Sequence, residues 1–137
     1  MSNRLKRRVK AFVFPQSVVN MRKSYFLLFG SSLSPEAIAA MINKRLDLEF
    51  EQHDSSYLGA YFKYFGLYAD KLTIEENRPN CLGDFKEEKF SKFPTLIYLS
   101  ITSGKNRDKL SKSIFMKARL CEIGDIKLLR ESVIEDG

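Results

Sequence analysis

Apolar and polar positions along the chain change period several times, and each change marks an element. SYFLLFG, from Ser24 to Gly30, is a continuous apolar run closed by a turn residue. Such a run predicts a central strand buried on both faces. SSLSPEAIAAMINKRL follows, with Ser34 placed to cap a helix and Pro35 to start it. Ala37, Ile38, Met41, Ile42 and Leu46 then form one stripe at helical spacing, which predicts a helix over Pro35 to Lys44. LDLEFEQ switches to a period of two. Leu46, Leu48 and Phe50 take one face and Asp47, Glu49 and Glu51 the other, the pattern of a half-buried strand.

His53, Asp54, Ser55 and Ser56 read as a turn, and YLGAYFKYF as the next strand. Alternation puts Tyr57, Gly59, Tyr61, Lys63 and Phe65 on one side and Leu58, Ala60, Phe62 and Tyr64 on the other. Gly59 reads as a bulge or a point of close packing. Gly66 interrupts the run and LYADKLTIEE resumes it, with imperfect alternation that predicts a bulge or irregular turn near Ala69–Asp70. Asn77 to Phe93 is a polar connection with room for one helical turn. In PTLIYLSITSG, Leu96, Tyr98 and Ser100 face one way and Ile97, Leu99 and Ile101 the other. NRDKLSKSIFMKARL fits a helix over about 105 to 120, with Leu110, Ile114 and Met116–Lys117 near one side. The chain turns at Gly124, and DIKLLRESVIED is a final strand. The order is β-α-β-β-β, a long connection, then β-α-β. It predicts an α+β fold: a single domain with a largely antiparallel or mixed sheet and two packed helices.

Length and composition fit one soluble globular domain, at 137 residues with 44 % hydrophobic and 29 % charged. A net charge of +6 invites a nucleic-acid partner, but the excess is local. Residues 1–23 hold Arg4, Lys6, Arg7, Arg8, Lys10, Arg22 and Lys23 and no acid; removing these seven leaves 16 bases against 17 acids. The chain divides on this basis into a basic arm, 1–23, and an α+β domain, 24–137. The arm is open to three readings: a contact to phosphates or anionic lipid, a loose solubilising end, or an extension upstream of a start at Met21. MSNRLKRRVKAFVFPQSVV has the basic opening of a secretory leader. Its apolar part is short, interrupted by Pro15 and Gln16, and without a small-residue cleavage pattern. YFLLFG is too short to span a bilayer. Cys81 and Cys121 do not make a disulfide framework and read as free thiols in a cytoplasmic protein.

No set of residues composes a catalytic centre. His53, the single histidine, is adjacent in sequence to Asp54 and Ser55, whereas a relay needs residues converging from different segments, and no nucleophile elbow accompanies it. One histidine and two distant cysteines have no zinc spacing. GKNRDK lacks the complete phosphate-loop pattern and reads as the entry to a helix. No cofactor and no metal are expected. AYFKYF interleaves rings with Lys63, which supports an alternative: a small RNA-binding module using the basic arm and an aromatic sheet surface.

The stretch E-x-x-D-S-S-Y-L-G-x-Y-F-K-Y from Glu51 to Tyr64 brings a resemblance into view. With it go the polar segment reaching Asn77, the apolar strand after Pro94, the next helix and the closing D-I-K-L-L-R-E strand. Over Tyr25 to Glu135 the chain resembles small immunity proteins of bacterial contact-dependent growth inhibition and related polymorphic toxin systems. The resemblance implies a cytoplasmic, non-enzymatic inhibitor that binds the C-terminal toxin domain of a neighbouring or sibling cell. Such toxins are often nucleases, and the inhibitor covers the active site or an essential adjoining surface. Many immunity proteins against basic nucleases are strongly acidic, whereas this chain is basic, so a mixed, partly aromatic surface fits it better than phosphate mimicry. Composition and expected exposure place toxin contacts at Glu49, Glu51, Asp54, Tyr61, Lys63 and Glu75.

Overall fold

The computed structural model describes residues 21–55, 59–78 and 83–136. Strand β1 (Arg22–Ser31) has a partner on each side, β5 (Thr95–Ile101) and β6 (Ile126–Asp136), and its Tyr25–Phe29 run is apolar because the helices cover one face while Phe93 of the connection packs on the other. Beyond β5 lie β4 (Ala69–Glu76), β3 (Gly59–Gly66) and β2 (Glu51–Ser55), giving among the described residues a six-stranded sheet of order β2-β3-β4-β5-β1-β6. Every neighbouring pair is antiparallel. Helices α1 (Pro35–Leu46) and α2 (Asn106–Cys121) pack on one side of it. The protein is an α+β single domain, as the element order predicts.

The core lies between the helices and that side of the sheet. Tyr25, Leu27 and Phe29 of β1, Leu72 and Ile74 of β4, and Ile97, Leu99 and Ile101 of β5 meet Ile38 and Ile42 of α1 and Met116 and Leu120 of α2. Burying branched and aromatic side chains of this size stabilises the fold by about 1.5–3 kcal/mol each. Helix α1 is fixed at its start by Ser34, whose Oγ accepts from the Ala37 N–H at 3.2 Å, with Pro35 behind it.

Several sequence expectations change here. Helix α1 runs to Leu46, one half-turn past the predicted end, and Asp47 closes it in the left-handed region with φ 57. Leu48 and Phe50 still turn inward, but residues 47–50 belong to no strand, because the Asn43 Nδ2 donates to the Leu48 carbonyl and holds this stretch against the helix end. Strand β2 therefore begins at Glu51, and His53, Asp54 and Ser55 are ladder residues facing Tyr61, Ala60 and Gly59, not a turn. In α2 the inward stripe is Lys109, Ser113, Met116 and Leu120. Leu110 and Ile114 face outward, 46 and 56 % exposed, because the sheet needs the stripe that begins one residue earlier. The irregularity expected near Ala69–Asp70 is present: the register shifts between Tyr64↔Leu72 and Gly66↔Ala69, which sets Asp70 and Lys71 of β4 against Phe65 alone, beside a turn at Leu67–Tyr68.

The expected helical turn in the connection is a 3₁₀ turn at Glu88–Phe90. That connection packs on the sheet side away from the helices. Gly30 makes room for it: a Cβ there would stand 2.8 Å from Leu129 Cδ1 and 2.8 Å from Phe93 Cγ. Gly30→Ala is expected to displace Phe93 and lower stability by about 1–3 kcal/mol. Urea unfolding checks this, an unchanged midpoint being the contrary result. Cys121 is a free, exposed thiol at the end of α2; Cys81 and residues 1–20 lie outside the described residues. Among the described residues no helix is long and apolar enough to cross a membrane.

Candidate functional site

The sheet side opposite the helices is polar, and the ladder register sets its contents. Glu51 of β2 faces Lys63 of β3, Lys63 faces Thr73 of β4, Thr73 faces Tyr98 of β5, Tyr98 faces Leu28 of β1, and Leu28 faces Arg130 of β6. One row thus crosses the whole sheet with carboxylate, ammonium, hydroxyl, phenol and guanidinium on the same side. In the β2–β3 pair, His53 faces Tyr61 and the rings stack at 5.4 Å between centroids with 19° between planes. The His53 Nε2 lies 3.2 Å from Glu51 Oε1. Lys63 Nζ sits 5.9 Å from the centroid of Phe65, a cation–π contact next along the same strand.

Nearer the middle of the sheet the connection is pinned to this side by a charged network. The Thr73 hydroxyl donates to Glu75 Oε2 at 2.7 Å, and Lys86 of the connection forms an ion pair with Glu75 Oε1. The same ammonium lies 5.0 Å from the centre of the Tyr98 ring. Tyr98 in turn donates to Glu87 Oε2 at 2.8 Å, and Arg130 grips both Glu87 oxygens at 3.0 and 3.2 Å. A two-pronged guanidinium–carboxylate contact fixes orientation as well as charge. The Arg130 hydrogen bond, aided by Tyr98, holds the Glu87 carboxyl below its ordinary value, and partial burial opposes it. Burial and then the Glu87 carboxylate keep the Tyr98 phenol protonated well above the usual range. Burial pulls the Lys86 ammonium down, with Glu87 opposing.

These shifts carry a sign. A depressed carboxyl stabilises the fold above its unfolded value, 4.5 for Glu87, and that contribution is lost as pH falls through the lower folded value. Glu87→Gln is expected to reduce stability at neutral pH by on the order of 1 kcal/mol, the half-exposed guanidinium being screened by water. The difference between wild type and variant should shrink once pH falls below 4.5. Urea midpoints across an acid series measure it, and a difference that grows on acidification is the contrary result.

Beneath the network lies Asn77, 0 % exposed. Its Nδ2 donates to the carbonyls of Phe90 and Phe93, each at 3.0 Å, and its Oδ1 accepts from the Glu87 N–H at 2.9 Å. Its backbone N–H reaches the Pro94 carbonyl and its own carbonyl accepts from the Lys86 N–H. One side chain thereby satisfies backbone groups across the connection, which would otherwise be buried without partners.

The six expected contact residues do not form one patch. Glu51, Tyr61 and Lys63 share the helix-free side at the β2–β3 edge. Glu75 is on a strand of that sheet but only 6 % exposed, with both oxygens engaged by Thr73 and Lys86, so it is part of the fastening and not of a rim. Asp54 faces Ala60, one residue out of phase with Glu51 and His53, and alternation turns it to the other side. Glu49 lies on the helix side too, where it lines a hollow with Glu36, Ala40, Asn43 and Gln52. Sequence reasoning missed the Glu87–Arg130–Tyr98 network and Asn77. The polar composition of Asn77 to Phe93 marked the connection but not its partners. Among the described residues no group of three or more His, Cys, Asp or Glu side chains could hold a metal ion.

No protein-family model matches this chain, and no curated protein matches it.

Proposed function

We propose that this chain is a non-enzymatic immunity protein that binds a cognate bacterial toxin domain and neutralises it by covering a functional surface. The observation that carries the reading is the β2–β3 end of the helix-free side. There Glu51, Lys63 and the His53–Tyr61 stack stand on a sheet whose other half is locked under the connection. A surface fixed in this way loses little side-chain and loop freedom on binding, which leaves more of the contact energy as affinity. Tyrosine buries its ring and keeps a hydroxyl for hydrogen bonding, the property that enriches it at interfaces. Both signs of charge lie beside it, which suits a toxin surface of mixed charge and agrees with a domain near electrical neutrality after residue 23. The partner is a C-terminal toxin domain, nucleases being a common kind, and the site of action is the cytoplasm.

Co-expression with the C-terminal domain encoded immediately upstream tests the reading. The expected outcome is survival of the producing cell and a one-to-one complex by calorimetry. Absence of both binding and protection is the opposing result. The interleaving of Lys63 with Phe65 and of His53 with Tyr61 favours a second reading as an RNA-binding surface. Under that reading the full chain binds single-stranded RNA with a steep salt dependence, which removing residues 1–20 reduces, and Lys63→Ala weakens the binding. The acidic Glu51 in the same row weighs against it.

A further inference from the structure

The turn between β3 and β4 leaves apolar groups in solvent that the row of polar residues does not account for. Leu67 is 73 % exposed and Phe65 is 63 % exposed. Around the tip, Tyr68 stacks on Phe115 of α2 at 5.8 Å with 20° between the rings. Leu67, Tyr68, Ser111, Lys112 and Phe115 line a hollow of about 250 Å³. A second hollow, of about 190 Å³, continues past the stacked pair to Arg45, Leu46 and Arg119. Contiguous exposed apolar surface of this kind marks an interaction site more often than chance placement does.

The rim has one sign. The described residues lining the two hollows include Lys112, Arg45 and Arg119 and no acid. Arg119 lies 5.7 Å from the Phe115 ring centre, and Lys63 flanks Phe65. Two nearby carboxylates are engaged: Asp70 accepts from the Thr102 and Ser103 N–H groups, and Glu122 is paired with Arg119 at 3.1 Å, so that Arg119 already has a carboxylate partner. An apolar notch within a cationic rim is complementary to an apolar side chain flanked by carboxylates. The notch is concave, which suits an inserted side chain better than a lipid surface. Tyr68 and Phe115 spend one ring face each on the other, which leaves less open ring for a nucleic-acid base.

We infer that the β3–β4 tip and the adjoining side of α2 receive the anchor of the toxin domain: an aliphatic or aromatic side chain seated against Leu67 and Phe115, with acidic neighbours meeting Lys63, Lys112 and Arg45. This rests on the reading of the chain as a toxin inhibitor. It extends the contact from Tyr61 and Lys63 along β3 to Phe65 and over the tip, and it adds a second, apolar anchor at Leu67.

Calorimetry and stopped-flow association of the full chain with the upstream toxin domain test it. Leu67→Ser and Phe115→Ala are each expected to weaken binding by roughly tenfold or more, as truncation of an anchor does. Lys112→Glu should slow association and flatten its salt dependence. Ile114→Ser, on the outer side of α2, should bind as the wild type does. Leu67→Ser changes an exposed turn and decides the matter even if Phe115→Ala does not fold. Failure of the wild type to bind overturns both this inference and the function it rests on. Wild-type binding with Leu67→Ser unchanged within twofold overturns this inference alone. Two further outcomes also overturn it: Leu67-dependent sedimentation with phosphatidylcholine–phosphatidylserine vesicles, or Leu67-dependent dimerisation, each with toxin affinity unchanged.

Discussion

Replacing Asn77 with alanine is expected to release the connection from the sheet and to lower folding stability by about 3 kcal/mol. The side chain is fully buried and serves the Phe90 and Phe93 carbonyls and the Glu87 N–H at once. Each such bond contributes about 1 kcal/mol net, but a buried group left without a partner costs about 1–3 kcal/mol, so the loss exceeds what the bonds alone suggest. Asn77→Asp separates the terms. It preserves size and the acceptor for Glu87 N–H while removing both donors and bringing negative charge toward two carbonyl oxygens. It should therefore be no milder than alanine at neutral pH. Urea unfolding reads the stability, and chymotrypsin cleavage within the segment holding Phe85, Phe90 and Phe93 reads the release. A midpoint near wild type with no new cleavage is the result that contradicts this account of the fastening.

The second large effect concerns binding. In the proposed complex with a toxin domain, Tyr61→Ala combined with Lys63→Glu is expected to weaken binding by about a hundredfold or more while leaving the fold nearly unchanged. Removing an aromatic ring from an interface centre costs about 2 kcal/mol or more when the position is a hot spot. Reversing Lys63 adds a like-charge neighbour to Glu51, the residue opposite it in the ladder. Both positions lie near the β2 edge and away from the central β1–β5 core, so the stability change should stay near 1 kcal/mol, as for substitutions away from buried features. The two changes should separate kinetically: Lys63→Glu in the association rate and its salt dependence, Tyr61→Ala in dissociation. Equal effects of both on thermal stability and affinity would instead indicate that the β2–β3 pair had unfolded.

The fold was largely legible in the sequence because its strongest signals are local. The uninterrupted SYFLLFG run, the Ser34–Pro35 start and the alternation in TLIYLSI each have one dominant solution, and the structure adopts it as β1, α1 and β5. Errors arose where a pattern recorded burial without recording pairing. Leu48 and Phe50 alternate with Glu49 and turn inward, but they do so in an extended stretch tied to Asn43, not in a ladder. In α2 the inward stripe contains Lys109 and Ser113, so hydrophobicity pointed to Leu110 and Ile114 and missed the phase by one residue. A lysine buried whole, as Lys109 is, carries no apolar signal in a sequence.

The candidate site was less legible because its decisive features are non-local. Alternation alone assigned Tyr61 and Lys63 to one side of their strand, and the ladder then added Glu51. Nothing local distinguishes Glu75, consumed by Thr73 and Lys86, from an acid on an open rim. The grip of Arg130 on Glu87 spans 43 positions and depends on β6 returning beside β1. The apolar tip at Leu67 looked like a strand interior interrupted by glycine, and only the turn geometry puts it in solvent.

The proposed function requires inhibition by stoichiometric occupation of the toxin, without chemistry by this chain. Titrating a fixed, known amount of active toxin domain with purified protein, at concentrations well above the dissociation constant, tests that most directly. Residual toxin activity should fall linearly to zero at one equivalent and should not change further with time. Activity that disappears at a small fraction of an equivalent, or that persists in a saturated complex, contradicts the claim.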